Sequence, residues 1–228
     1  MAALYRIFAY LDQHHNSQLV FDLCYPVVNE RDFIKYNWSK IYGDMKESIP
    51  PNAPEPRGRE VELKMFVDTD HAGDQRNRRL RSGFIIYVNL APIIWMLKKQ
   101  ATVETSVFGA EFVAMKLGME TLCGLRYKLR MMGVPIAGLS SVYGDNMSVI
   151  NNTQRPKSTL KKKSNLVCYH AVRESVAMRE MRTAQIPSSN NRADICTKII
   201  PSGQKRQDLM RKVMYDIHDG SDSFPNEG

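Results

Sequence analysis

Hydrophobic and polar residues along this chain follow two periods, and the switches between them mark out its elements. The segment VELKMFVD alternates, placing Val61, Leu63, Met65 and Val67 on one face and Phe66 and Asp68 on the other, as a strand does. After an arginine-rich loop, SGFIIYVNL and APIIWML are rich in β-branched and aromatic residues, and the short gap around Asn89–Pro92 suits a hairpin. Phe108, Phe112, Met115, Met119, Leu122, Leu125, Leu129 and Met132 then recur at three- and four-residue steps, predicting a long helix that ends at Gly133 and Pro135. Gly118 and Gly124 are points that could bend this helix or split it in two. A strand over Leu139–Gly144 follows, then a turn or short helix from Asn146 and a helix over about Asn165–Met181. A strand over Arg182–Pro187 and a helix over about Asn191–Lys198 close the series. Near the start, Leu4, Ile7, Phe8 and Leu11 keep helical spacing, and SQLVFDLCY turns β-like.

Three strands, helix, strand, helix, strand, helix is the order of a layered α/β domain with a mixed sheet: an antiparallel start, then crossover connections. The boundaries follow from composition. Residues 1–44 form a small helix–strand appendage, and residues 45–60 include IPPNAPEPRGRE, whose four prolines exclude a regular element and predict a linker or draped loop. The main domain is expected over residues 61–200. Residues 201–228 give a basic amphipathic stretch and then SDSFPNEG, expected to be disordered. With 43% hydrophobic residues among 228, a true core can form. No run reaches the roughly 20 apolar residues of a membrane helix, and the first residues lack the pattern of a signal peptide, so an intracellular protein without a membrane partner is expected. Cys24, Cys123, Cys168 and Cys196 lie far apart without metal spacing and are read as reduced packing residues.

A net charge of +8 favours an anionic partner, nucleic acid first. Arg76, Arg78, Arg79 and Arg81 form one basic cluster; Arg155, Lys157, Lys161, Lys162 and Lys163 form another. Either cluster alone reads equally well as a solvated loop.

Four carboxylates stand at element ends. Asp68 closes the first strand of the main domain, and Glu111 borders the apolar face of the long helix. Asp145 follows SSVYG, and Asp194 opens the last helix, where Asn190 or Asn191 could cap. Singly, each suits a turn or a helix dipole. Together they sit where open α/β sheets present ligand sites. Convergent carboxylates repel unless hard cations lie between them, which points to Mg²⁺ or Mn²⁺.

These blocks carry a resemblance. FVDTDHAGD, SGFIIY, APIIWMLKKQATVETSVFGAEFVAM, YGDN and NNRADICTK are similar, in order, to the ribonuclease H domain of copia-type LTR retrotransposon polyproteins. LYRIFAYLDQHHNSQLVFD resembles the connection that joins the polymerase part to that domain. The resemblance implies a ribonuclease H-like fold with a five-stranded mixed sheet and a D-E-D-D active site at Asp68, Glu111, Asp145 and Asp194. It implies two-metal hydrolysis of the RNA strand of RNA–DNA hybrids with two Mg²⁺ ions, or Mn²⁺ in their place. In that frame the basic clusters and Asn146 are expected to contact the hybrid, with Asp70 a neighbour of the site rather than a member. The polymerase domain of the same polyprotein is the expected partner, leaving Leu4, Phe8 and Leu11 exposed without it. A cytoplasmic virus-like particle, with the nucleus second, is the expected location.

Departures from the family pattern are also present. The loop IPSSNNRAD lacks the histidine that cellular members carry before the last aspartate, which predicts slower turnover. His71 stands where many copia elements have tryptophan and is read as a packing or surface residue; Ser106 and Thr105 are candidate caps of the long helix, and His170 has no assigned role. The absence of a YxDD box marks the chain as a piece of a larger polyprotein, or a remnant of one. The order Asp, Glu, Asp, Asp opposes an integrase or transposase, whose glutamate comes last, and Asp68-Thr69-Asp70 opposes the Asp-x-Glu of related exonucleases. A degenerate module that holds hybrid or packs on a polymerase without cutting is the alternative, and four intact acidic positions speak against it.

Overall fold

In the computed structural model the chain is described at residues 2–13, 15, 17–19, 21–22, 24–70, 80–101, 106–160, 166–201 and 203–216. The N-terminal helix α1 spans Ala2–Gln13, and β1 is only Ser17–Gln18. Among the described residues of SQLVFDLCY, the expected longer strand is not formed. Just two residues find a ladder partner, in β7, Tyr215–Asp216, and the Asp22 carboxylate accepts from the Cys24 amide at 2.8 Å, turning the chain. A short helix α2, Ser39–Tyr42, follows.

The alternating segments form the sheet. Strands β2 (Leu63–Asp70), β3 (Arg81–Val88) and β4 (Ala91–Lys99) run antiparallel to their neighbours. Asn89 takes a φ of +56° between β3 and β4, and pins that turn to β2 by accepting from the Glu62 amide at 2.8 Å. The helix α3 (Val107–Met131) crosses the sheet to β5 (Ser140–Gly144), which lies parallel to β2. Helices α4 (Met147–Gln154) and α5 (Leu166–Ala177) lead to β6 (Met181–Gln185), parallel to β5. Helix α5 stops short of the expected Met181 because Arg179 adopts a φ of +63°, and the chain leaves directly into β6. Helix α6 is four residues, Asp194–Thr197, and α7 spans Gln204–Arg211. The sheet order β4-β3-β2-β5-β6, antiparallel then parallel, is the five-stranded mixed sheet that the resemblance implies.

Both faces of the sheet are buried over β2, β3 and β5, while the edge strand β4 leaves Ile93, Trp95 and Leu97 exposed. Leu63, Met65 and Val67 meet Phe112, Met115 and Leu122 of α3 in the larger core; Phe66, Ile85, Tyr87 and Tyr143 form a second core on the other face, joined by Phe33 from residues 29–38. Helix α3 is continuous. Gly118 neither bends nor splits it; it brings the helix against the sheet, since a Cβ there would meet the Met65 sulfur at 2.8 Å. Residues 45–60 contain no helix or strand, yet they are anchored. Glu47 accepts from Nε and Nη2 of the buried Arg126 at 2.8 and 2.7 Å, and Arg57 donates its amide to Gly133 at 2.9 Å.

Gly83 on β3 sets how closely α6 can lie. It is the register partner of Asp68, and a Cβ there would overlap the Thr197 methyl and meet the Cys196 Cβ at 3.1 Å. Gly83→Ala is expected to destabilise the fold by about 1–3 kcal/mol by overpacking. Thr197→Ser deletes the overlapping methyl while keeping the hydroxyl, so adding it to Gly83→Ala should recover most of that loss in urea unfolding; equal losses with and without it would place the strain elsewhere.

Candidate active site

Strands β2 and β5 pair only from Lys64–Phe66 against Ser141–Tyr143 and then part. The Val67 carbonyl, left without a strand partner on that side, accepts from the side-chain Nδ2 of Asn191 at 3.0 Å, while Asn191 Oδ1 accepts from the backbone amide of Ala193 at 3.2 Å. Asn191 is fully buried. It stitches the loop before α6 into the gap between the strands and fixes where α6 begins. Asn191 therefore does not cap α6 through a side-chain bond; Ala193 occupies that position.

Into this gap point Asp68 from β2, Asp145 from the residue after β5, and Asp194 from the first residue of α6. One oxygen of each lies within 4.8 Å of the other two. Asp68 and Asp194 are buried, while the Asp145 side chain keeps 15% exposure and faces the open side. Asp68 Oδ2 accepts a short hydrogen bond from the Thr197 hydroxyl, and Asp145 Oδ2 accepts from Ser188 at 2.8 Å. Lys198 places its ammonium 2.7 Å from Asp194 Oδ1, 3.1 Å from Asp68 Oδ1 and 4.0 Å from Asp145 Oδ2. Lys205 reaches the other Asp194 oxygen at 3.3 Å.

Glu111 stands beside this trio rather than in it. It is buried on α3, and its Oε1 accepts from Thr69 at 2.8 Å. Burial pushes its carboxyl up to about 8, and the charges of Asp68 and Asp145 add to the shift. Burial also raises Asp68, against the opposing bonds from Thr197 and Lys198. An all-oxygen donor set, with a cationic head already seated among it, fits a hard divalent cation.

The other sequence candidates divide. Arg155 and Lys157 are exposed at the end of α4, and Arg81 starts β3. Asn146 caps α4, accepting from the Ser148 and Val149 amides at 3.1 and 3.3 Å. Asp70 ends β2 outside the trio, and Ser106 caps α3 through the Gly109 amide at 3.2 Å. His170 meets the Tyr42 hydroxyl at 3.1 Å, which docks α2 on α5. His71, Arg76, Arg78, Arg79, Thr105, Lys161, Lys162, Lys163 and the segment SDSFPNEG lie outside the described residues. Sequence reasoning missed Lys198, Lys205, Thr197 and Ser188. Only Lys198 left a signal, four residues after Asp194 and so on the same side of a helix.

The raised Glu111 carboxyl sets a pH dependence of the metal-free protein. A carboxyl that ionises near 4.5 in the unfolded chain and about 8 in the fold holds its proton more firmly when folded. Its contribution is fully present below pH 4.5 and is lost as pH rises through 8. Without divalent cations, urea unfolding should show wild-type stability falling across that window relative to Glu111→Gln; parallel profiles would remove Glu111 as the cause.

No family model matches the chain. Among curated proteins it is similar to the retrovirus-related Pol polyprotein from transposon TNT 1-94 of Nicotiana tabacum, 30% identical over 139 residues, which is 61% of this chain and 10% of that polyprotein. It is likewise similar to the Pol polyprotein from transposon RE1 of Arabidopsis thaliana, 27% identical over 145 residues, 62% of this chain and 10% of the relative. The chain thus spans about a tenth of the length of the curated relatives it matches. Solved structures with some likeness include the N-terminal RNase H domain of rv2228c from Mycobacterium tuberculosis, with a TM-score of 0.48, 13% identity, and coverage of 60% of this chain and 91% of that one. LC11-RNase H1 in complex with an RNA/DNA hybrid gives a TM-score of 0.46 and 15% identity, over 59% of this chain and 93% of that one. By sequence, this chain is similar to a stretch of the retrovirus-related Pol polyproteins of plant transposons.

Proposed function

We propose that the domain cleaves the RNA strand of RNA–DNA hybrids as part of retrotransposon reverse transcription, by metal-dependent phosphodiester hydrolysis. The observation that carries this reading is the convergence of Asp68, Asp145 and Asp194 within 4.8 Å in a ribonuclease H-like fold, with Glu111 alongside. Asp68, Asp145 and Asp194 would hold divalent cations, Mg²⁺ first and Mn²⁺ as the alternative, and Glu111 would join them once ionised. The chemistry such cations supply when bound is activation of an attacking water and neutralisation of charge on the leaving oxygen.

The chain's own groups do the rest. Thr197 and Ser188 each take one oxygen of Asp68 and Asp145 and so orient the oxygens that face inward. Asp145, the most exposed of the trio, marks the side from which a scissile phosphate enters. Arg81, Arg155 and Lys157, with the basic residues of 76–79 and 161–163, would hold backbone phosphates, which suits recognition of a hybrid by shape rather than by base. Leu4, Ile7, Phe8 and Leu11 of α1 are half or more exposed, an apolar face that suits docking on the polymerase domain of the same polyprotein. None of the described helices is long and apolar enough to cross a membrane. A virus-like particle in the cytoplasm, and then the nucleus, are the places where such a substrate arises.

Incubation of the purified chain with a labelled RNA–DNA hybrid in Mg²⁺ or Mn²⁺ is expected to cut the RNA strand only. Chelation should abolish cutting, and Asp145→Asn should lower the rate about a hundredfold or more. A folded protein that binds hybrid without cutting it would instead make the domain a binding module. Hybrid binding should weaken with salt, and Arg155→Ala and Lys157→Ala should each reduce the slope of log affinity against log salt by roughly 1. An unchanged slope would take these two side chains off the phosphates.

A further inference from the structure

Lys198 sits in a place that a cation would need. Its ammonium lies 2.7 Å from Asp194 Oδ1 and 3.1 Å from Asp68 Oδ1, with Asp145 Oδ2 at 4.0 Å, so it touches or approaches all three carboxylates of the trio. These three carry formal charge −3 within a space where one oxygen of each lies within 4.8 Å of the others. Lys205, by contrast, meets Asp194 from outside and is half exposed, with a side-chain exposure of 52%.

We propose that Lys198 is a resident placeholder cation, seated among Asp68, Asp145 and Asp194 in the metal-free protein and displaced outward when a divalent cation enters. This rests on the reading of the trio as a metal site. The geometry makes the two occupants exclusive. An Mg²⁺ ion needs its oxygen ligands at about 2.1 Å and in near-octahedral order, which an ammonium sharing the same oxygens at hydrogen-bond distance prevents. The lysine also has a way out. Its side chain is 36% exposed, it follows the last residue of α6, and Ile199 beyond it is fully exposed. A four-carbon stem with rotatable bonds lets the head swing to the rim without moving Asp194.

Two functions follow from one residue. While the site lacks metal, the seated ammonium offsets the repulsion that would otherwise splay β2, β5 and α6 apart. When metal binds, the expelled charge remains at the mouth of the site, on the side where a phosphate enters. The consequence is competition: the metal's apparent affinity is lowered by the fraction of molecules in which the lysine is seated.

The test is isothermal titration calorimetry of the full 228-residue chain with Mg²⁺ and with Mn²⁺, comparing wild type, Lys198→Met, Lys198→Arg and Lys205→Met, each checked for fold by circular dichroism. Lys198→Met keeps the stem and removes the charge, and is expected to bind metal about tenfold more tightly than wild type. Lys198→Arg keeps the charge on a wider head that can fork onto two carboxylates, and should bind no more tightly. Lys205→Met, a screened outer charge, should stay within about threefold of wild type. Wild-type affinity in Lys198→Met, or an equal gain in Lys205→Met, overturns the placeholder while leaving the metal site standing. Absence of binding in both folded wild type and Lys198→Met overturns the metal site, and the placeholder with it.

A second measurement serves if Lys198→Met does not fold. In metal-free wild-type protein the Lys198 ammonium should give a nitrogen resonance protected from exchange by its hydrogen bonds to Asp68 and Asp194, and saturation with Mg²⁺ should abolish it. Persistence of that resonance with Mg²⁺ bound would overturn the proposal on wild-type protein alone.

Discussion

Three aspartate carboxylates held within 4.8 Å of one another, two of them buried, are the constraint around which this structure is arranged. Like charges at that separation repel strongly wherever water is excluded. The fold answers with hydroxyls, ammonium groups and a neutral acid. Thr197 and Ser188 donate to Asp68 and Asp145, Lys198 and Lys205 bracket Asp194, and burial keeps the adjacent Glu111 protonated up to about 8. The site is therefore strained electrostatically but ordered by hydrogen bonds, a state that a hard cation would relieve.

The surrounding scaffold explains how such a site survives. Phe66 and Tyr143 stack in parallel on neighbouring strands, with ring centroids 5.3 Å apart, just before those strands diverge. The guanidinium of Arg192 lies 4.9 Å from the centre of the Phe66 ring, closing the second core beneath the aspartates. Gly83 lets α6 approach β3, so that Thr197 reaches Asp68 across the register pair. On the far face α3 packs against Met65 through Gly118. The strands thus part against two rigid cores, and the carboxylates at their ends have little freedom to move away from one another.

The sequence made much of this legible. Alternation in VELKMFVD separated the two faces of β2 correctly, and the three- and four-residue spacing from Phe108 to Met132 marked α3. Both are statements about which side of an element is buried, and periodicity reports that directly. Two of the departures come from contacts made by residues distant in sequence, while the early end of α5 is local, set by the positive φ of Arg179. A helical break at Gly118 does not occur because that glycine serves a contact with Met65, some fifty residues upstream. Of the strand expected over SQLVFDLCY, the described residues pair just at Ser17–Gln18, against β7 near the other end of the chain. Phe33 and Trp38 gave no periodic signal, yet both are buried. Among the acidic residues, position at element ends brought out Asp68, Asp145 and Asp194, but it could not reveal that Glu111 stands aside from their cluster or that Thr197 and Ser188 orient two of them.

The charge of the whole and the charge of the site have opposite signs, and this separates binding from chemistry. The chain carries +8, with Arg155 and Lys157 exposed at its surface, a balance that attracts polyanions at long range. Close to the aspartates the field reverses, and a phosphate approaching Asp145 meets net negative charge even with Lys198 and Lys205 counted against the trio. Attraction to the surface therefore does not by itself bring a phosphate into the centre. Under the proposed function the same protein can grip a hybrid through its basic loops in the absence of metal and cut it only when metal is present. Under that proposal the division gives selectivity, because monovalent counterions that weaken the grip at the surface would not substitute for divalent charge at the centre.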